Sequence, residues 1–134
     1  MTGLVLKLNP RERVLVNGAV IENGDRRSKL SIVTPNANIL RLRDAIKPGE
    51  ANTPVRRVCY IAQLVLSGDV AAEEATPQLL QGIEHLSHAL RDADSHAYLS
   101  AATAALGRGD FYPALKALRS LLPREERLLA PRPT

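Results

Sequence analysis

Over residues 4–42 apolar and polar residues alternate in short runs, LVLKL, RVLV, AVIE, KLSIV and ILRL. A two-residue repeat sends successive side chains to opposite faces, so each run predicts a half-buried strand. The stretches between them carry strong turn chemistry: NPRE, NG, NGDRRS and TPNAN. In NPRE, Pro10 presets φ at the second turn position and Asn9 can bond its own backbone. Asn17-Gly18 and Asn23-Gly24 each offer the two positive-φ residues of a two-residue hairpin. An antiparallel meander or small barrel-like lobe of about five short strands is the simplest outcome, spanning residues 1–52.

From Thr53 the apolar repeat lengthens to the 3.6-residue period of a helix. Thr53-Pro54 supplies an N-cap and a preset first turn, and Gly68 stops the helix after Ser67. Thr76-Pro77 repeats that signature before Leu79, Ile83, Leu86 and Leu90, which share one face. A third helix is expected in SHAYLSAATAAL, and a fourth is capped by Asp110, lined by Phe111, Leu115, Leu118 and Leu122, and ended by Pro123. The chain therefore reads as an α+β fold, a β lobe followed by a helical lobe over 53–134, forming one compact unit with APRPT as a frayed tail. The first helix is unusual. Val55, Val58, Cys59, Ile61, Ala62, Leu64, Val65 and Leu66 cover nearly its whole circumference, which predicts burial against the strands or a second subunit. The β lobe alone is too small to sustain a core, so a homodimer is expected.

Composition sharpens this picture in two respects. The 134 residues carry a formal charge of +4, but 11 basic and 5 acidic residues precede Val58, a local net of +6. An anionic partner should therefore meet the first half. No apolar run approaches membrane-spanning length and LVLKL is too short for a signal peptide, which points to the cytoplasm and away from a membrane. The lone Cys59, set in VCYIAQLVL, reads as a small buried apolar residue.

Candidate chemistry thins out on inspection. A phosphate-binding loop leads from a strand into a helix, whereas NGAVIENGD leads from one strand into another, so its glycines are hairpin residues. His85 and His88 lie on the solvated side of their helix with no third ligand at metal spacing, and His96 has no evident partner. No Gly-x-Ser-x-Gly, Cys-His relay or apolar carboxylate pair is present; Glu73-Glu74 and Glu125-Glu126 read as helix-surface charge. Neither an enzyme nor a metal or cofactor site is expected.

The basic lobe remains. In ILRLR, Leu40 and Leu42 face one way, so Arg41 and Arg43 are expected on the other; Lys7 likewise opposes Leu6 and Leu8, and Lys29 opposes Leu30. With the turn residues Arg26 and Arg27 these form one candidate cationic face. Arg56 and Arg57 stand in a helix first turn, where the macrodipole disfavours cations; an anionic partner would relieve them, as could Glu50 or Asp44 internally. Tyr60, Tyr98, Phe111 and Tyr112 all lie in the helical half. A base-stacking sheet is therefore excluded, and any nucleic acid would be held through phosphates, backbone groups and arginines.

VNGAVIENGDRRSKL, TPVRRVCYIAQLVLSGD and GDFYPALKALRSLLPREERLL, in this order, resemble the FlbT family of flagellum-biogenesis regulators of alphaproteobacteria over about residues 4–129. The resemblance implies a post-transcriptional regulator that associates with the 5′ leader of flagellin mRNA and promotes its degradation, some members acting positively, and it implies no catalytic residue or cofactor. Pro113 and Cys59 depart from the family pattern without touching the basic lobe. LVLKLNPRERVLV and LRLRDAI also resemble the carbon storage regulator family, in which the first and last strands of different subunits form the RNA face; Arg43 and Lys7 match it by position. The alternative is a protein adaptor acting on flagellin, its chaperone or another flagellar regulator, since AALGRGDFYPALKAL resembles half of a tetratricopeptide-type hairpin.

Overall fold

A computed structural model describes residues 4–35 and 37–131; residues 132–134 of the expected tail lie outside it. Five strands come first: β1 (Leu4–Leu8), β2 (Arg13–Val16), β3 (Ala19–Glu22), β4 (Ser28–Ile32) and β5 (Ile39–Arg41). Two short 3-10 turns, Leu42–Asp44 and Pro48–Glu50, lead to α1 (Pro54–Leu66), α2 (Ala72–Ala89), α3 (Ala93–Gly107), α4 (Phe111–Arg119) and α5 (Leu122–Leu129). The α+β class and the order of strands before helices agree with the hydrophobic pattern.

The strands form two antiparallel units, a β1–β4 ribbon and a three-stranded sheet in the order β3–β2–β5. Only one of the two Asn-Gly pairs makes the expected hairpin. Asn17 and Gly18 have φ of 50° and 84°, the left-handed pair that lets β2 turn directly into β3. Gly24 does not take a positive φ, and Asn23 acts as a staple instead. Its amide nitrogen donates to the carbonyls of Leu8, Asn9 and Arg26, and its oxygen accepts from Ser28 Oγ at 2.7 Å. The chain is thereby carried past β3 to pair with β1.

Alternation then decides which side chains lie between the layers. Val14, Val16 and Ile39 line one face of β3–β2–β5 and form a small core with Leu6 and Leu8 of the ribbon. Leu15 and Leu40, on the opposite face, join the main core with the helices. The central sheet is thus covered on both sides. Gln63 ties the third layer on, donating to the Ile46 carbonyl at 3.0 Å and accepting from the Ile46 N–H at 2.8 Å.

The nearly continuous apolar surface of α1 is explained inside one chain, where α1 packs against α2, α4, α5 and β5. Val58 fits so closely over Gly82 of α2 that a Cβ there would lie 2.4 Å from its Cγ1. Helix boundaries depart from expectation at the prolines. α2 starts at Ala72, because AEEA is a good first turn with acids at the positive end of the dipole. Pro77 then loses one backbone bond early in the helix. Pro123 opens α5 instead of closing α4, since a proline in a first turn has no N–H to waste. The helical layer of the described residues therefore has five helices.

Candidate nucleic-acid interface

The β lobe is organised around a carboxylate that sequence reasoning passed over. Glu12, its side chain only 5% exposed, follows the β1–β2 turn and accepts from the Asn9 N–H at 2.9 Å. Arg41 lays its guanidinium against the same group, with Nε 2.7 Å from Oε2 and Nη2 3.2 Å from Oε1. Arg43 Nε lies 3.6 Å from Oε2. The Asn9 N–H, then Arg41 and Arg43, hold the Glu12 carboxyl below its ordinary range against the opposing effect of burial. Arg41 also donates from Nη2 to the Lys7 carbonyl, so one ion pair joins β5, the first turn and β1.

This corrects the orientation read from ILRLR. β5 ends at Arg41, and Leu42–Asp44 turn into a 3-10 segment, so Arg43 leaves the alternation. Arg41 pairs with Val14 and shares its face, which is the face covered by the ribbon. Its side chain is 22% exposed. Alternation separated the two faces correctly; both are covered, which a local pattern does not reveal. Within one chain the first strand, β1, pairs with β4 and not with β5; β1 and β5 meet through Leu6, Leu8 and Ile39 and through the Arg41 bond to the Lys7 carbonyl.

The ribbon is different. In the β1–β4 register Lys7 stands directly opposite Lys29, and both are exposed. Leu6 and Leu30 point the other way, so the two ammonium groups share the outer face. Arg26 and Arg27 are carried by the stapled loop just before β4, and are exposed as well. None of these four cations has a carboxylate within 4.0 Å among the described residues. Elsewhere in the lobe arginines are matched: Arg11 pairs with Asp25 at 2.6 Å, Arg13 with Glu22 at 2.8 Å. Arg13 is the leading cause of the lowered Glu22 pKa.

Glu125 is a second carboxylate missed by sequence reasoning, which assigned it to a helix surface. It is buried, accepts from the Thr53 hydroxyl and takes the Val55 N–H at 2.8 Å on Oε2. The α1 N-terminus thus already holds an anion, as the dipole favours. The charge balance around Arg56 and Arg57 therefore no longer calls for an outside partner. Arg56 donates to Asn52 Oδ1 at 3.2 Å.

Other candidate chemistry stays dispersed. Burial pushes the Cys59 thiol up to about 12, leaving it protonated and unreactive at neutral pH. His88 reaches Glu84 at 3.2 Å and His96 the Ser87 carbonyl at 3.1 Å, while no cluster of three metal-ligating side chains occurs among the described residues. No helix of the described residues is long and apolar enough to cross a membrane. A cleft of about 230 Å³, lined by Leu4, Ile32, Pro35, Ile39, Tyr112 and Pro113, brings no acid–base pair together; Asp110 is its one acidic lining residue.

Comparison with known proteins adds an independent line. A protein of Chelativorans sp. (strain BNC1) named probable flagellum biosynthesis repressor protein FlbT is 33% identical over 93% of this chain and 85% of its own length. The corresponding protein FlbT 1 of Bradyrhizobium diazoefficiens is 36% identical over 93% of this chain and 84% of its own. That of Caulobacter sp. (strain K31) is 29% identical over 94% and 95%. No solved structure matches. A sequence profile described as "Flagellar protein FlbT" matches residues 4–129, from the first residue of the ribbon to the last of α5, and the chain belongs to that family.

Proposed function

We propose that this protein is a cytoplasmic post-transcriptional regulator of flagellum biogenesis, which binds the 5′ leader of flagellin mRNA through its β lobe and promotes degradation of the message. The regulatory part is supported by the relatives, which are named flagellum biosynthesis repressors. The RNA part is carried by one observation: Lys7 faces Lys29 across the ribbon with Arg26 and Arg27 beside them, and none of the four is paired with a carboxylate among the described residues. Like charges directly opposite cost up to about 1 kcal/mol in an antiparallel pair. A phosphate between them turns that cost into attraction. Arg43, half exposed, and Arg41, which fixes β5 to β1, are both engaged by Glu12 and make at most a secondary contribution to the cationic set. The face has no aromatic side chain, so binding rests on charge and falls steeply with salt.

Filter binding of the purified chain to flagellin leader and to a scrambled RNA, at two salt concentrations, tests this reading. Preferential, salt-sensitive retention of the leader is expected; retention of neither RNA sinks it.

A second reading, a protein adaptor acting on flagellin, its chaperone or another flagellar regulator, is favoured by the groove between α2 and α3. Ile83 and Leu99 form its floor, with Ser100, Thr103 and Ala104 along one wall. From Ser95 to Gly107 the only ionisable side chains are His96 and Tyr98, leaving much of the exposed side of α3 uncharged. A second copy of the chain would dock there too, and sedimentation equilibrium reads that mass. Pull-down of native complexes with and without ribonuclease separates the readings: association that survives ribonuclease, with no leader bound by the purified chain, favours the adaptor.

A further inference from the structure

We infer that the outer face of the β1–β4 ribbon is built for single-stranded RNA, with phosphates held by Lys7, Lys29, Arg26 and Arg27 and the sugar–base side of the strand lying on Val5, Ser31 and Val33. The inference rests on the RNA reading above and specifies the form of RNA and its placement.

The ribbon's outer face changes character along its length. At one end stand the opposed lysines, with the stapled loop beyond them. One step further in the same alternation lie Val5 and Ser31, directly opposite each other, and after Ser31 comes Val33. Val5 is 54% exposed and Val33 77%. Two valines this open gain nothing from the fold, whose apolar side is the Leu6–Leu8 side. A partner bearing charge alone would leave them in water. A nucleotide presents an anionic group and an apolar ring a few ångströms apart, and two residues of strand span about 7 Å.

The strandedness follows from shape and chemistry. A two-stranded ribbon has a face roughly 10 Å wide at most. The deep, narrow major groove of A-form RNA is closed to side chains, and its shallow minor groove offers hydroxyls and phosphates, with no apolar surface for valine. Unpaired bases offer that surface. Asn23 makes the site rigid: bonded to Leu8, Asn9, Arg26 and Ser28, it fixes the arginine loop against the end of β1 before any ligand arrives.

Fluorescence anisotropy of the full chain tests this with labelled oligouridylate, the same strand annealed to oligoadenylate, and flagellin leader. The single strand should bind at least about tenfold more tightly than the duplex. Lys7→Gln with Lys29→Gln should weaken oligouridylate binding about tenfold and flatten the salt slope by about 1.4, the release expected for two phosphates on a single strand. Val5→Ser should weaken it about threefold at unchanged slope. Both lysines are exposed, and the Lys7→Glu variant guards against misfolding as the cause, since it converts the repulsive pair into an attractive one and should bind RNA worst while melting highest. Equal binding of duplex and single strand overturns the inference. So does leader binding whose affinity and slope ignore the lysine changes, although the RNA reading then survives. Failure of the wild-type chain to bind any of the three RNAs overturns both.

Discussion

The three-stranded sheet and the two-stranded ribbon lie face to face in one small lobe, yet they treat their cations in opposite ways. On and around the sheet each arginine meets a carboxylate: Arg11 with Asp25, Arg13 with Glu22, Arg41 and Arg43 with Glu12. On the ribbon Lys7 and Lys29 oppose each other, and neither they nor Arg26 and Arg27 in the loop before β4 have a carboxylate within 4.0 Å among the described residues. The paired arginines tie parts of the lobe to one another, whereas the ribbon lysines, set against each other by the register, have no such partner among the described residues and are left free to meet an anion. On the proposed reading, pairing among the described residues is a better guide than net charge to where an anion would bind.

Breaking the sheet's pairing should have the largest effect. Glu12→Ala leaves the Arg41 guanidinium between the layers without its carboxylate and removes the acceptor for Asn9. It should destabilise the protein by about 2–3 kcal/mol, read as a lower urea midpoint. Acid attacks the same point. The Glu12 carboxyl titrates below its ordinary 4.5 in the folded chain. Its contribution is thus fully present above that value and is lost as pH falls through the folded pKa. The wild-type melting temperature should drop between about pH 5 and pH 3, and the Glu12→Gln variant should show a shallower drop there.

Changing the ribbon should have a smaller effect of opposite sign. Replacing Lys7 by Glu should stabilise the fold by about 0.5 kcal/mol while weakening RNA binding, a separation that no paired arginine would give. Smallest of all, Glu22→Gln, which loosens exposed pairs with Arg11 and Arg13, should leave the melting temperature unchanged within error. A large shift there would mean that exposed pairing, too, carries the sheet.

Much of this architecture was legible in the sequence, and the failures share a cause. The strands, the hairpin at Asn17-Gly18 and the capped start of α1 are written in neighbouring residues, where period and turn chemistry act. Glu12 and Glu125 were not recoverable that way. Their partners lie 29 residues off at Arg41 and 70 off at Val55, and a carboxylate's burial is decided by what folds over it. Arg41 failed likewise: period two separates the faces of a strand without saying how many are covered. Asn23-Gly24 satisfied a hairpin rule locally, but Asn23 found better bonds across the lobe. Lys7 and Lys29 were each placed on an outer face correctly; their direct opposition depended on β1 pairing with β4, a register no single strand encodes.

The contrast between ribbon and sheet reduces to one titration. Leader RNA affinity is measured against salt concentration for two double variants, Lys7→Gln with Lys29→Gln and Arg11→Gln with Arg13→Gln, each removing two positive charges. The ribbon variant should lose about 1.4 units of slope and the sheet variant none. Loss of slope from the sheet variant, with the ribbon variant unchanged, would show that the paired arginines hold the RNA.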